Sequence, residues 1–294
     1  MKQLVILSGK GGTGKTTVAA ALANLAAQTP GAQAHSVVLA DADVDAANLG
    51  LVLAPVTEET HDFTGGKIAE IDPAACSACG RCAEVCRFDA VQPGAAYAVD
   101  PLACEGCAAC FYECPAQAIT MTPQRAGQWF VARTRYGPLY HAHLFAGQEN
   151  SGKLVTLVKQ MARLRALDDK ADLLLVDGPP GIGCPVIAAL AGADLVLIVT
   201  EPTVSGAHDL ERILGVATHF QTRAAVLLNK ADLSPAQAEA IAAACAERGV
   251  PLVGRLPYDP AVTEAMVRGE PVTAGDGPVA AALREAWTAL QAHL

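Results

Sequence analysis

Eight of the chain's ten cysteines fall between Cys76 and Cys114, in two runs of identical spacing. The first is Cys76-x2-Cys79-x2-Cys82-x3-Cys86; the second is Cys104-x2-Cys107-x2-Cys110-x3-Cys114-Pro115. Thiolates are soft ligands, and where thiols stay reduced such clustering points to metal rather than disulfides. A single C-x2-C would suit zinc, whereas two full four-cysteine runs suit two [4Fe–4S] clusters. A second chemical group opens the chain. Gly9-Lys10-Gly11-Gly12-Thr13-Gly14-Lys15-Thr16 fits G-x-x-x-x-G-K-[ST] between an apolar run and a helical one, the setting of a phosphate-binding loop. Its glycines let backbone N–H groups turn toward phosphates, and the following helix adds positive potential. Lys15 is expected to reach the β- and γ-phosphates, Thr16 to ligate Mg2+, and Thr17 to complete the nucleotide-binding set.

The cysteine region is a duplication. Ile71-Asp72-Pro73-Ala74-Ala75-Cys76 returns 28 residues later as Val99-Asp100-Pro101-Leu102-Ala103-Cys104, and each half closes on a short strand signal, Ala90-Val91 and Ala118-Ile119. The spacing is that of bacterial two-cluster ferredoxins, in which the fourth cysteine of each run crosses to the other cluster. One cluster would then use Cys76, Cys79, Cys82 and Cys114, and the other Cys104, Cys107, Cys110 and Cys86. A unit this small has little apolar core, so its clusters should supply much of its stability. Arg87 stands where proline follows the fourth cysteine of the second run. A guanidinium there favours the more negative, reduced state. Arg87→Pro should therefore lower the potential of the cluster that Cys86 ligates; redox titration checks this, and an unchanged potential sinks it.

Two further segments accompany the phosphate loop. Asp41-Ala42-Asp43-Val44-Asp45 follows the second apolar run, and Leu173–Val176 delivers Asp177-Gly178-Pro179-Pro180-Gly181. Together with the extra lysine of Lys10-Gly11-Gly12-Thr13-Gly14-Lys15-Thr16, they resemble the deviant-Walker ATPases of the MinD/ParA/Mrp group, which includes the nitrogenase iron protein. The resemblance spans nearly the whole chain, with closest likeness to members that contain an inserted ferredoxin domain. It implies that Lys10 reaches nucleotide across a two-fold dimer formed with ATP. It implies that Asp43 orients the attacking water, with Asp41 and Asp45 as weaker candidates, and that Asp177 holds Mg2+ through water. Gly178 and Gly181 would let that loop sense the γ-phosphate. Asn229-Lys230-Ala231-Asp232 alone reads like the guanine-selective N-K-x-D. In the resembling family an asparagine at this strand end contacts adenine, and a loop like Leu256-Pro257-Tyr258-Asp259 covers the base. ATP is the expected nucleotide, with Asn229 and Pro257 at the base and GTP as the alternative. Lys153, in the stretch Gln148–Lys153, is either a phosphate-sensing or dimer-contact residue or a solvated loop lysine. Cys184 lies seven residues past Asp177, the offset of a cluster ligand in the nitrogenase iron protein; a buried structural cysteine is the leading reading. Cys245 reads as core.

These residues need a scaffold. Short apolar runs at Leu4–Leu7, Val37–Ala40, Leu173–Val176, Leu195–Val199, Ala225–Leu228 and Leu252–Leu256 alternate with helical stretches at Thr16–Ala27, Pro185–Ala191, Ala207–Val216 and Pro235–Glu247. That alternation predicts an α/β P-loop fold with a mostly parallel sheet flanked by helices. Into it is inserted a small α+β ferredoxin-like domain. The expected boundaries are 1–62 and 123–294 for the ATPase domain and 63–122 for the insert. Trp129–Arg133 and Leu139–Leu144 predict a hairpin around Tyr136-Gly137-Pro138. Pro278–Leu294 predicts a helix that packs Trp287 and Leu290 on the ATPase domain.

Of 294 residues, 52% are hydrophobic, enough for a large core, and the formal net charge of −9 argues against a nucleic-acid partner. The start runs straight into a motif, without a signal sequence, and the most apolar run, Val186–Thr200, is too short to span a bilayer. The tail carries too little positive charge for a membrane surface. A cytoplasmic protein is expected. Three functions compete: ATP-gated electron transfer to a redox partner, a carrier or maturation factor that serves an apo-metalloprotein, and spatial organisation, which needs a membrane or DNA affinity that the charge disfavours.

Overall fold

The protein is described by a computed structural model that covers residues 1–28, 36–148 and 151–294. Glu149 and Asn150 of the 148–153 stretch lie outside the described residues. The strands are β1 Lys2–Ser8, β2 Val37–Asp41, β3 Val56–Ile71, β4 Val91–Gln92, β5 Ala98–Val99, β6 Ile119–Thr134, β7 Gly137–Leu144, β8 Leu173–Pro180, β9 Leu195–Thr200, β10 Arg223–Leu228 and β11 Leu252–Arg255. The chain divides into two compact units. The first is Met1–His61, Trp129–His143 and Ser151–Leu294; the second is Asp62–Gln128 with Leu144–Asn150. No loop marks the seam, because β3 and β6, each 16 residues long, run from one unit into the other.

In the first unit the strand order is β11-β10-β9-β1-β8-β2-β7, followed by the near ends of β6 and β3. β1 pairs in parallel with β8 and β9, β2 with β8 and β7, and β10 with β9 and β11. The apolar runs become strands because helices cover both faces: every residue of β2 and β9 is buried. β6 and β7 are neighbours joined through Arg135 and Tyr136, and the Thr134 hydroxyl donates to the Gly137 carbonyl at 2.7 Å. The final helix, Pro278–Gln291, buries Leu283, Trp287 and Leu290 in the core.

The helix Ser151–Asp168 was not anticipated from the sequence. It buries Leu154, Val155, Val158, Ala162 and Ala166, and in the same stripe Lys159. The Lys159 ammonium donates to the carbonyls of Ala188, Ala189 and Ala191, at the end of the helix Cys184–Leu190. Helix C-termini leave such carbonyls without intrahelical partners. Burial pulls this ammonium down to about 8. Lys159→Met is expected to cost about 2 kcal/mol, or a fall in Tm of roughly 4–8 °C. Thermal denaturation checks this; an unchanged Tm would mean that water replaces the lysine without loss.

The second unit has a small core of Ala69, Cys82, Val91, Cys110 and Ile119. Its backbone repeats along with its sequence. Left-handed residues recur 28 positions apart: Ala78 and Gly106 at φ 53° and 65°, Gly80 and Ala108 at 81° and 64°, Asp89 and Gln117 at 52° and 50°. The first pair is not interchangeable. A Cβ on Gly106 would lie 2.1 Å from the Lys67 carbonyl oxygen. Gly106→Ala should destabilise this unit by about 2–4 kcal/mol, combining left-handed strain with a backbone clash. Ala78→Gly should be neutral or stabilising. Comparing hydrogen exchange of 62–128 in the two variants checks the contrast, and equal protection would contradict it.

Candidate nucleotide and cluster sites

The phosphate loop hangs between β1 and the helix Lys15–Gln28. Gly12 and Gly14 adopt φ +79° and +96°, and a Cβ on Gly14 would lie 2.4 Å from the Asn229 Nδ2. That nitrogen donates to the Thr13 carbonyl at 2.8 Å, so β10 braces the loop. Gly11 has open space around it. Lys15, on the first helical turn, is only 6% exposed, and its Nζ lies 3.9 Å from the Asp43 Oδ2.

Three carboxylates that the sequence left as alternatives separate here. Asp41 is fully buried and accepts the backbone N–H groups of Asp43 (3.2 Å) and Leu49 (3.0 Å), so it fastens the loop it begins. Burial and the neighbouring Asp177 hold its pKa well above the usual carboxylate range. Asp45 is exposed. Asp43 is the carboxylate beside Lys15; burial raises its pKa while the ammonium pulls it back.

Asp177, buried within β8, has neither carboxylate oxygen hydrogen-bonded, and the Thr13 hydroxyl is also unpartnered. Burial pushes the Asp177 carboxyl up to about 7, against the pull of the Thr16 hydroxyl and the Lys15 ammonium. A dry, unpartnered carboxylate near a threonine hydroxyl fits a hard divalent cation. Gly178 serves packing: a Cβ there would lie 2.8 Å from the Ile6 carbonyl oxygen. Gly181, at φ +93°, has nothing within 4 Å of such a Cβ.

A cavity of about 230 Å³ beside the loop is lined by Gly14, Thr17, Val18, Asn229, Pro257 and Met266, among others. The Asp232 carboxylate, which would read guanine, instead accepts the Tyr258 backbone N–H at 2.7 Å. The loop that closes the cavity is thus held by the residue that made the motif ambiguous, which favours adenine.

Lys10 has partners within its own chain. Within one chain its Nζ lies 2.5 Å from Glu201 Oε1 and 3.2 Å from Ser205 Oγ. The other oxygen of Glu201 is 3.3 Å from Lys230 Nζ, which also donates to the Gly12 carbonyl. Burial pushes the Glu201 carboxyl up, but Lys10 and Lys230 outweigh it and hold it below its usual range. Sequence reasoning missed Glu201, which lies 191 positions from Lys10 with no motif to flag it. Two readings need correction. Cys184 is exposed, not buried, although Cys245 is core. Lys153 belongs to a helix rather than a loop.

In the second unit all eight cysteines are free thiols. Cys86, Cys104, Cys107 and Cys110 line one cavity; Cys76, Cys79, Cys82 and Cys114 line another. Each lining joins three cysteines of one run to the fourth of the other. Among the described residues no three His, Cys, Asp or Glu side chains form a group that could hold one metal ion. Four thiols around a cavity suit a cluster of several atoms rather than a single ion. Backbone amides reach the sulfurs: Ala78 N–H donates to Cys76 Sγ at 3.4 Å, and Ala118 N–H to Cys114 Sγ at 3.3 Å.

The nucleotide-binding domain model of the CobQ/CobB/MinD/ParA family matches residues 4–272. The chain belongs to this family. Like other MinD/ParA-type proteins it is an ATP-binding P-loop ATPase. An uncharacterized protein of Methanocaldococcus jannaschii is 33% identical over 232 residues, 79% of each chain. The cytosolic Fe-S cluster assembly factor Nubp1 homolog of Drosophila grimshawi is 36% identical over 124 residues, 35% of this chain and 40% of that one. The septum site-determining protein MinD of Pyrococcus horikoshii, solved with Mg-ADP, superposes with a TM-score of 0.60 at 20% identity, over 98% and 95% of the two chains. That similarity is one of fold: an α/β sheet flanked by helices. Among the described residues no helix is long and apolar enough to cross a membrane.

Proposed function

We propose that this MinD/ParA-type ATPase uses ATP to gate electron transfer through two [4Fe–4S] clusters. The observation that carries the reading is the pair of four-cysteine cavities in a chain whose other unit holds a P-loop. The clusters would supply low-potential one-electron chemistry. Lys15 binds the β- and γ-phosphates, Thr16 and Asp177 hold Mg2+, and Asp43 orients the attacking water. Lys10 leaves Glu201 and reaches the nucleotide of a second copy, so ATP builds a homodimer. The second unit enters the chain between Asp43 and Asp177.

The test is an anaerobic preparation, reduced and measured by iron content and EPR with and without Mg-ATP. Expected are ~8 irons per chain and signals that change with ATP. An iron-free protein overturns the reading; iron without an ATP response removes the gating.

A second reading is a carrier or maturation factor for iron–sulfur clusters, favoured by the similarity to the Nubp1 homolog. ATP-dependent passage of labelled iron to an apo-protein would support it. Retention of all iron through turnover counts against it.

A further inference from the structure

The duplication in the second unit provides an internal control. Four large apolar side chains stand exposed close to the cysteines of the second cavity: Phe88 (44%), Leu102 (78%), Phe111 (40%) and Tyr112 (81%). Each lies within two residues of Cys86, Cys104 or Cys110. At the positions 28 residues away in the other half stand Ala116, Ala74, Ala83 and Glu84. The backbone conformation repeats at that same offset, so the fold does not require bulk there. Exposed apolar side chains in a small unit, present on one copy and missing from its duplicate, mark an interaction surface.

The groups at the edge indicate what it meets. From Cys86 to Phe111 the chain carries Asp89, Asp100 and Glu105 against Arg87, with Lys67 facing Glu105 across the depression beside Leu102. Glu113 is held by Arg81 of the first half (2.9 Å), which also pairs with Glu84 (3.2 Å), and so does not add to the charge of this rim. The phenyl and phenol rings of Phe111 and Tyr112 meet edge to face at 5.1 Å, and Phe88 lines the cavity itself. Beside Leu102 a depression of about 400 Å³ is lined by Lys67, Glu105 and Gln124. Apolar anchors inside an acidic rim complement a face with an apolar centre and basic rim.

We propose that this surface docks an electron-exchange protein with a basic-rimmed apolar face, and that the second cavity, not the first, is where electrons pass between the two proteins. The inference rests on the reading that the cavities hold clusters. Leu102 and Tyr112 act as anchors, and the acids speed encounter and fix orientation.

The test uses the full chain, prepared anaerobically, with cytochrome c as a basic haem-protein probe. Its affinity is measured in the oxidised state by calorimetry at low ionic strength. Leu102→Ala combined with Tyr112→Glu changes two exposed residues to those of the other half. This variant should keep its iron content and its ATP hydrolysis, and bind cytochrome c at least 10-fold more weakly. Its reduction of cytochrome c should slow in proportion. Glu84→Gln, on the first half, should change neither. No measurable binding by the wild-type chain, or equal binding by the double variant, overturns the proposal. A wild-type dimer that the double variant dissociates would assign the surface to a second copy and overturn it too. Iron content reports on the cluster reading separately: a wild-type chain without iron sinks that reading, whereas unchanged affinity of the double variant with full iron sinks the docking surface alone.

Discussion

Asp177→Asn is expected to cut Mg-ATP hydrolysis by about 10²–10³-fold and, in metal-free protein at pH 8, to raise Tm. The two effects share a cause. Asp177 is a buried carboxylate with no hydrogen-bond partner, and burial pushes it up to about 7. A carboxyl whose folded pKa exceeds its unfolded value of about 3.9 binds its proton more tightly when folded. Its favourable contribution is fully present below pH ~4, falls as pH rises, and is gone above ~7. At pH 8 the ionised group is then a buried charge that the Lys15 ammonium offsets only in part, at a cost of a few kcal/mol. Asparagine removes that charge and also the metal's anionic ligand. The check is thermal denaturation at pH 5 and pH 8, with chelator and with Mg2+. Wild-type Tm in chelator should fall between the two pH values and recover with Mg2+; the variant should show neither change. A variant that retains full hydrolysis would remove Asp177 from the magnesium site.

The second large effect concerns the cysteine unit. Its core is Ala69, Cys82, Val91, Cys110 and Ile119, so two of five core residues are proposed ligands. Burial raises the thiol pKa of Cys82 and of Cys110, and without metal both stay protonated. Structural metal bound to thiolates contributes about 10 kcal/mol or more to folding in small domains. Cys110→Ser, or iron removal by chelator, should therefore unfold the second unit and leave the first folded. Hydrogen exchange would show amides of 62–128 losing protection by several orders of magnitude, while β1, β8 and β9 stay protected. Retained protection in iron-free protein would show that apolar packing suffices. ATP binding should persist in either state, because the phosphate loop, Asn229 and Pro257 all belong to the first unit.

The parallel strands were legible because burial on both faces demands unbroken apolar runs, and Leu195–Thr200 has no other reading. The helix Ser151–Asp168 was not. Its apolar stripe is narrow, Lys159 interrupts it, and Lys153, Arg163 and Arg165 hide it among charges. The phosphate loop and the cysteine runs could be read because their chemistry fixes residue type at short spacing. What could not be read depends on distant partners. Asp41 and Asp43 look alike in sequence, and only the amides of Asp43 and Leu49 give Asp41 a fastening role. The N-K-x-D ambiguity likewise needed the contact of Asp232 with Tyr258. Cys184 looked apolar in context, yet it opens its helix toward solvent.

Glu201 is one acid shared by two ammonium groups, 2.5 Å from Lys10 and 3.3 Å from Lys230. The two lysines stand in different places: Lys230 lines the cavity beside the phosphate loop, whereas Lys10 belongs to the loop itself. A single counter-ion divided in this way makes its tenants rivals. Whatever draws Lys230 aside tightens the hold on Lys10, and whatever removes Lys10 leaves the whole negative charge to Lys230. Events in that cavity and in the phosphate loop are therefore joined by an electrostatic seesaw whose pivot is one side chain.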